Sequence, residues 1–208
     1  MKSRPTSGAA QQRVSSRSAM LTESSTCQPS VTYPLNGAGS APRSGNAAVT
    51  SSRVAMRRRI YTDTSAVGGC FDVEFEHGSI PLFDAFRSGA AVLVVSDLTL
   101  AELEAAPEPV RDVLLSVPVE HVEFVSFSEE AGHLSEAYLK EGVVPSKSRI
   151  DAQHIATATI CRADVLVSWN FKHIVNLERI HGYNSVNLRL GYPMLEIRSP
   201  MEVLNYDD

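Results

Sequence analysis

The chain has few cysteines and no long apolar run. Its longest uninterrupted apolar stretch covers only residues 90–95, whereas a transmembrane helix needs about 20 apolar residues and the core of a secretory signal about 7 to 15. We therefore expect neither membrane insertion nor export. Cys27, Cys70 and Cys161 show no CxxC spacing and no neighbouring Cys/His set, which predicts unpaired thiols in a reducing compartment.

Acidic residues are almost missing from one end of the chain. Residues 1–59 carry nine Lys or Arg and the single acid Glu23, a net charge of +8, whereas residues 60–208 carry ten bases and 23 acids, a net charge of −13. The first segment is rich in Ser, Gly, Ala and Pro without hydrophobic periodicity, so it cannot bury enough apolar surface to offset the entropy of ordering. We predict a disordered basic extension over residues 1–57 and a folded domain over residues 58–208.

Three interpretations of the basic extension stay open. Initiation at Met56 would place Met-Arg-Arg-Arg directly before the first strand, so that the upstream residues would reflect a mis-assigned start. Alternatively, the segment is a flexible tail, or an organelle targeting peptide, which is typically rich in Ser and Arg and poor in acids. We expect a cytoplasmic protein unless the targeting interpretation holds.

Apolar segments of strand length alternate with helical patterns in the acidic body. Pro81 is expected to break the first long helix early. Strands separated by helices favour an α/β fold with a parallel sheet and right-handed crossovers. The predicted strands cover residues 60–63, 91–95, 122–127, 165–168 and 195–198, and the predicted helices cover residues 75–87, 96–105, 110–115, 128–141, 148–162 and 176–180.

Three carboxylates and an amide stand where these predicted elements begin or end. Asp63 and Asn170 directly follow strands, whereas Glu102 lies one to two turns into the helix after the second strand, and Asp151 in the first turn of the helix before the fourth. Each has an ordinary alternative as a cap or a solvated helix residue. Because ligands of parallel α/β folds bind outside the carboxyl ends of the strands, we expect all four side chains at one edge of the sheet.

Clustered oxygen ligands predict a particular chemistry for this edge. Mg²⁺ and Mn²⁺ are hard ions that take carboxylate, carbonyl and water oxygens. A bound ion of this kind lowers the pKa of a water and orients it for attack on phosphorus, so that no Ser, Cys or His nucleophile is required. The sequence therefore predicts metal-dependent hydrolysis of phosphate esters.

The same residues resemble the PIN domain family, whose members include the VapC-like ribonuclease toxins of toxin–antitoxin pairs. The resemblance covers about residues 58–205 and is carried by four stretches: Asp-Thr-Ser at 63–65, Ser-x-x-Thr-x-x-Glu-Leu at 96–103, the helix at 148–162, and Val-Ser-Trp-Asn-Phe at 167–171. It implies a three-layer α/β/α sandwich around a mainly parallel sheet of about five strands. It also implies an Mg²⁺- or Mn²⁺-dependent ribonuclease whose metal ligands are Asp63, Glu102 and Asp151.

Asn170 completes the implied catalytic set at a position where many family members carry Asp. An amide supplies no charge there, so the alternative function is a catalytically inactive PIN-like module that binds RNA or protein. The resemblance implies RNA as the substrate and allows an antitoxin protein and a second copy of the chain as partners. Ser65, His154 and Lys172 are predicted to contact the substrate, with turn capping, a helix-surface position and scattered surface charge as their alternatives.

Overall fold

A sheet of five parallel strands forms the centre of the domain in a computed structural model, which describes residues 57–204. The strands lie in the spatial order β3-β2-β1-β4-β5, and Tyr61 on the central strand is in register with Val94 on one side and Leu166 on the other. The strands are β1 (Arg58–Thr62), β2 (Ala91–Ser96), β3 (Val122–Val125), β4 (Val165–Val167) and β5 (Ile197–Arg198). The predictions for residues 1–56, including the start at Met56, lie outside the described residues.

Eight α-helices connect and cover these strands in the described part of the chain. Among residues 57–204, no helix combines the length and apolarity needed to cross a membrane. The helices are α1 (Thr64–Gly68), α2 (Glu76–Arg87), α3 (Asp97–Leu103), α4 (Glu108–Leu115), α5 (Glu129–Lys140), α6 (Arg149–Ile160), α7 (Leu177–Leu190) and α8 (Pro200–Leu204).

Both faces of the sheet are buried, and this explains the uninterrupted apolar runs of the sequence. Successive strand residues point to opposite faces, so Ile60 packs on the side of α2 and α4 while Tyr61 packs on the side of α5, α6 and α7. On β2, Leu93 and Val95 join the first core and Val94 joins the second. A strand covered on both faces appears in the sequence as a nearly continuous apolar run. The predicted three-layer α/β/α sandwich is confirmed.

Two helices differ from the sequence prediction. Helix α2 continues through Pro81, so the predicted early break is wrong. Pro81 and His77, the residue four positions before it, are both exposed, so the missing hydrogen bond lies on an exposed side of the helix. Helix α7 is far longer than the predicted residues 176–180. The prediction stopped short because Asn184 and Asn187, which are polar, occupy buried positions on its inner face. Asn184 bonds the backbone of Leu195, and Asn187 accepts a hydrogen bond from the Tyr138 hydroxyl.

The order of the strands creates a crevice at one position of the sheet. From the central β1 the chain moves outward to β2 and β3, and it then returns to β4 on the other side of β1. The crossover connections therefore diverge between the carboxyl ends of β1 and β4, which is where open parallel sheets bind ligands. Asp63 directly follows β1, and residues 168–170 directly follow β4.

Candidate functional site

Asp63 lies between the end of β1 and the start of α1, where its buried carboxylate caps the helix. Its Oδ1 accepts hydrogen bonds from the Ala66 backbone N–H at 3.2 Å and from the Ser65 hydroxyl at 2.7 Å, and its Oδ2 accepts one from the Ser168 hydroxyl at 2.7 Å. Only 5% of the residue is exposed. Burial raises the pKa of Asp63, although the hydrogen bonds from Ser65 and Ser168 and the nearby His154 act in the opposite direction.

Asp151 and Asn170 form a hydrogen-bonded pair across the edge. The Asn170 Nδ2 donates to Asp151 Oδ1 at 2.9 Å, while the Asn170 Oδ1 accepts from the His173 backbone N–H at 3.0 Å. These two contacts fix the orientation of the amide, because a carboxylate accepts and a backbone N–H donates. Asn170 thus directs its NH₂ group, and not its carbonyl oxygen, toward Asp151, and it orients that carboxylate.

Glu102 is held by Thr64 and His154. Its Oε2 accepts from the Thr64 hydroxyl at 2.8 Å and lies 3.2 Å from His154 Nε2. The hydrogen bond with His154 is the main cause that lowers the pKa of Glu102. At Asp151, burial is the main cause of a raised pKa, and the charge of Glu102 raises it further. The two carboxylates therefore act on each other electrostatically.

A buried hydrogen-bonded chain runs from β2 to Glu102. The Tyr61 hydroxyl lies 2.7 Å from Ser96 Oγ and 2.8 Å from His154 Nδ1, and its pKa is raised, mainly by burial. Since the Glu102 carboxylate can only accept, a neutral His154 places its proton on Nε2, and Nδ1 then accepts from Tyr61. The orientation of Glu102 thus depends on residues of the sheet interior.

The predicted substrate-contacting residues occupy three different environments. Ser65 is half-buried and bonds Asp63, Ser168 and the backbone of Trp169. His154 is 2% exposed with both ring nitrogens engaged by the protein, a position suited to orienting Glu102 and not to touching a substrate. Lys172 is exposed close to the edge, and its contact with the substrate stays a prediction.

Sequence reasoning missed two residues that build the site. Ser168 donates a hydrogen bond to Asp63 and accepts one from the backbone N–H of Asn170, so it joins the ends of β1 and β4. A small hydroxyl residue directly after a buried strand is the signal that would have identified it. Tyr61 is fully buried within β1, and because a buried tyrosine hydroxyl usually finds a partner, its position inside an apolar strand was a comparable signal.

The donor set fits a hard divalent cation bound through one or two carboxylates. In the described residues no group of three or more His, Cys, Asp or Glu side chains is arranged to hold a metal ion jointly, but Mg²⁺ in proteins usually keeps several waters and takes only one or two carboxylates. Within residues 57–204, neither Lys nor Arg forms an ion pair with Asp63, Glu102 or Asp151. A cation would supply the positive charge that these carboxylates lack and would offset the free-energy cost of burying Asp63.

Trp169 fixes the segment that carries Asn170. Its indole N–H donates to the Ser79 hydroxyl at 2.8 Å, and its backbone N–H donates to Ser65 Oγ at 2.9 Å. The ring fits against two glycines: a Cβ on Gly69 would lie 2.6 Å from Trp169 Nε1, and one on Gly78 would lie 2.9 Å from Trp169 Cζ2. The close approach of these backbones holds the β4 end of the site in place.

Gly69→Ala is expected to destabilise the domain by about 1 to 3 kcal/mol, since the new methyl group would displace Trp169 and Ser79. Gly68→Ala is the matched control, because a Cβ at Gly68 meets nothing within 4 Å, and alanine is favoured over glycine inside a helix by about 0.5 to 1 kcal/mol. Urea unfolding of both variants measures the difference. Equal stabilities would contradict the packing role assigned to Gly69.

No protein-family model and no curated protein matches the chain. Solved structures do match. VapBC2 from Rickettsia felis bound to a promoter DNA fragment is 14% identical, with 67% of this chain and 98% of that chain covered and a TM-score of 0.43. DNA-bound VapBC from Salmonella typhimurium is 18% identical, with 69% of this chain and 98% of that chain covered and a TM-score of 0.42, and the sarcin–ricin loop cleaving toxin VapC20 from Mycobacterium tuberculosis is 15% identical, with 54% of this chain and 91% of that chain covered and a TM-score of 0.41. The parallel five-stranded sheet of the described residues agrees with the α/β/α sandwich that the motif resemblance implies.

Proposed function

We propose that this domain is an Mg²⁺- or Mn²⁺-dependent nuclease that hydrolyses phosphodiester bonds in RNA. The observation that carries the proposal is that Asp63, Glu102 and Asp151 all lie near the buried His154, which hydrogen-bonds Glu102 and acts electrostatically on both aspartates. A toxin role with an antitoxin partner, which the motif resemblance implies, extends the same proposal.

The roles of the residues follow from their contacts. Burial raises the pKa of both Asp63 and Asp151, and a nearby positive charge would stabilise their ionised forms. These two residues would therefore bind the cation, with Glu102 as the third acidic group. A bound divalent cation would supply an activated water and stabilise the leaving oxygen. The remaining side chains of the site orient these carboxylates and supply no nucleophile: Thr64, Ser65, His154, Ser168 and Asn170.

A catalytically inactive module that binds RNA or protein is the second candidate, and the orientation of Asn170 favours it. Asn170 turns its NH₂ group, and not its carbonyl oxygen, toward Asp151, so it presents a hydrogen-bond donor where many PIN domains carry a carboxylate. Such a module would bind its partner without cleaving it. Cleavage therefore decides between the two candidates.

Replacing Glu102 with glutamine is expected to lower RNA cleavage by about a hundredfold, because it removes one of three acidic groups at the cation site. Mg²⁺ or Mn²⁺ should raise the melting temperature of the wild-type chain, since a ligand bound only by the folded state stabilises it, and this rise should shrink in the variant. Cleavage of a labelled single-stranded RNA and thermal melting with and without metal measure both effects.

Glu104→Gln is the matched control, because Glu104 is exposed two residues further on at the end of α3. It should leave both the cleavage rate and the metal response unchanged. If Glu102→Gln cleaves as fast as the wild type, Glu102 is not part of the cation site. If the wild type binds RNA but does not cleave it, the inactive module is correct.

A further inference from the structure

An aromatic cluster adjoins the candidate site on the side of α2. The Trp169 ring stacks on Phe75 with 4.7 Å between the centroids and an interplanar angle of 26°, and it lies 5.9 Å from the ring of Phe171 and 6.5 Å from that of His77. Trp169 itself is only 8% exposed, whereas Phe171 is 50% exposed. Trp169 therefore serves as packing, and Phe171 presents an aromatic surface to solvent.

The backbone that carries Phe171 is held in place by hydrogen bonds on both sides. Trp169 N–H donates to Ser65 Oγ, the Phe171 N–H donates to the Trp169 carbonyl at 2.9 Å, and the N–H of the buried Ile174 donates to the Asn170 carbonyl at 3.0 Å. Single exposed apolar residues are common on protein surfaces. A ring on a fixed backbone differs from them because binding to it costs little conformational entropy.

Phe171 directly follows residues whose hydrogen bonds lead to the carboxylates. Its chain neighbour Asn170 donates to Asp151, and Ser65, which holds the backbone of Trp169, donates to Asp63. A group resting on the Phe171 ring would thus lie next to a chain segment that is hydrogen-bonded to the carboxylates proposed to act on a phosphodiester. In a polynucleotide, the group next to each phosphate that can rest on an aromatic ring is a base.

The distribution of charge favours one orientation of such a ligand. Lys172 is exposed directly after Phe171, whereas the exposed acids Glu74 and Glu76 flank Phe75 in the chain. Phosphates would be repelled on the Phe75 side and attracted on the side of Lys172 and the cation site. An uncharged base is compatible with the aromatic cluster, since every base has a π face.

We propose that Phe171 is a stacking site for a base of single-stranded RNA next to the scissile phosphate. This inference rests on the proposed function and names its substrate class. In a duplex the bases are stacked on each other and do not reach a protein ring, so recognition by stacking selects single-stranded or looped RNA. Phe171 is a substrate-binding residue in this scheme and takes no part in the bond-breaking step.

The test compares an oligouridylate, an abasic oligonucleotide of the same length and a blunt RNA duplex, each bound to the full chain with Ca²⁺ in place of Mg²⁺. Phe171→Ala is expected to weaken oligouridylate binding about tenfold and to raise KM in Mg²⁺ similarly while kcat stays nearly constant. Phe171→Trp should bind as the wild type does. The emission of Trp169, the only tryptophan of the chain, should change with oligouridylate and not with the abasic probe.

Phe124→Ala is the control, because Phe124 is 61% exposed on the edge strand β3, three strands away from β4; it should change none of these values. Phe171→Leu replaces the alanine variant if that variant melts early, since leucine keeps apolar bulk without an aromatic face. Equal binding of the abasic probe or the duplex overturns the stacking site while cleavage can persist. An unchanged Kd in both Phe171→Ala and Phe171→Leu overturns it as well. A wild-type chain that neither binds nor cleaves any probe overturns the proposed function as well.

Discussion

Replacing Asp151 with alanine is expected to reduce RNA cleavage by at least about a hundredfold while leaving the domain folded. The loss of activity follows from the removal of a proposed metal ligand. The fold should survive because the carboxylate lies only partly buried and accepts a hydrogen bond from Asn170, a contact worth about 1 kcal/mol. Its removal also ends the repulsion by Glu102 that contributes to its raised pKa. Initial cleavage rates and thermal melting of the metal-free variant measure the two effects.

The control for this substitution is Asp112→Ala, since Asp112 is an exposed acid on α4. It should retain both activity and stability. Loss of the folded state in the Asp151 variant would show that the residue is structural. Full activity in the variant would remove Asp151 from the active site and with it the proposed arrangement of the metal.

Three of the five strands were predictable because both of their faces are buried. Residues of β1, β2 and β4 face two cores, so their apolar character is visible in every window of the sequence. Helix α7 was not predictable at its full length, because its contacts with the sheet side of the domain use Asn184 and Asn187 as well as apolar residues. A buried amide looks like a surface residue until its tertiary partner is known.

The positions of the candidate site residues in the fold were predictable, and their supporting contacts were not. Asp63 and Asn170 were recognised because strand ends converge in a parallel sheet, a rule that depends on topology alone. The bond between Tyr61 and His154 joins residues 93 positions apart, and no sequence pattern specifies that pairing. His154 was predicted as a candidate substrate contact, whereas its buried position suits it to orienting Glu102.

Replacing Asp63 with asparagine is expected to change stability and activity in opposite directions. Burial raises the pKa of Asp63 in the folded domain, so between the unfolded value of about 3.9 and the raised folded value the folded state binds more protons than the unfolded state. Stability then falls as the pH rises through this window, and at neutral pH the ionised carboxylate destabilises the metal-free domain. The asparagine variant, which cannot ionise, should therefore melt at a higher temperature at pH 7 without metal.

The same substitution should abolish cleavage and the rise in melting temperature caused by Mg²⁺, because the buried charge is what the cation would offset. The amide fits the site: Ser65 Oγ and Ser168 Oγ lie 3.2 Å apart, so the hydroxyl that no longer donates to residue 63 finds an acceptor. Melting curves from pH 4 to 8 with and without Mg²⁺ distinguish this variant from an Asp112→Asn control. A metal-free variant that melts at a lower temperature than the wild type at pH 7 would mean that the hydrogen bonds to the carboxylate stabilise the domain more than burial of its charge destabilises it. Capping of α1 would then be the main role of Asp63.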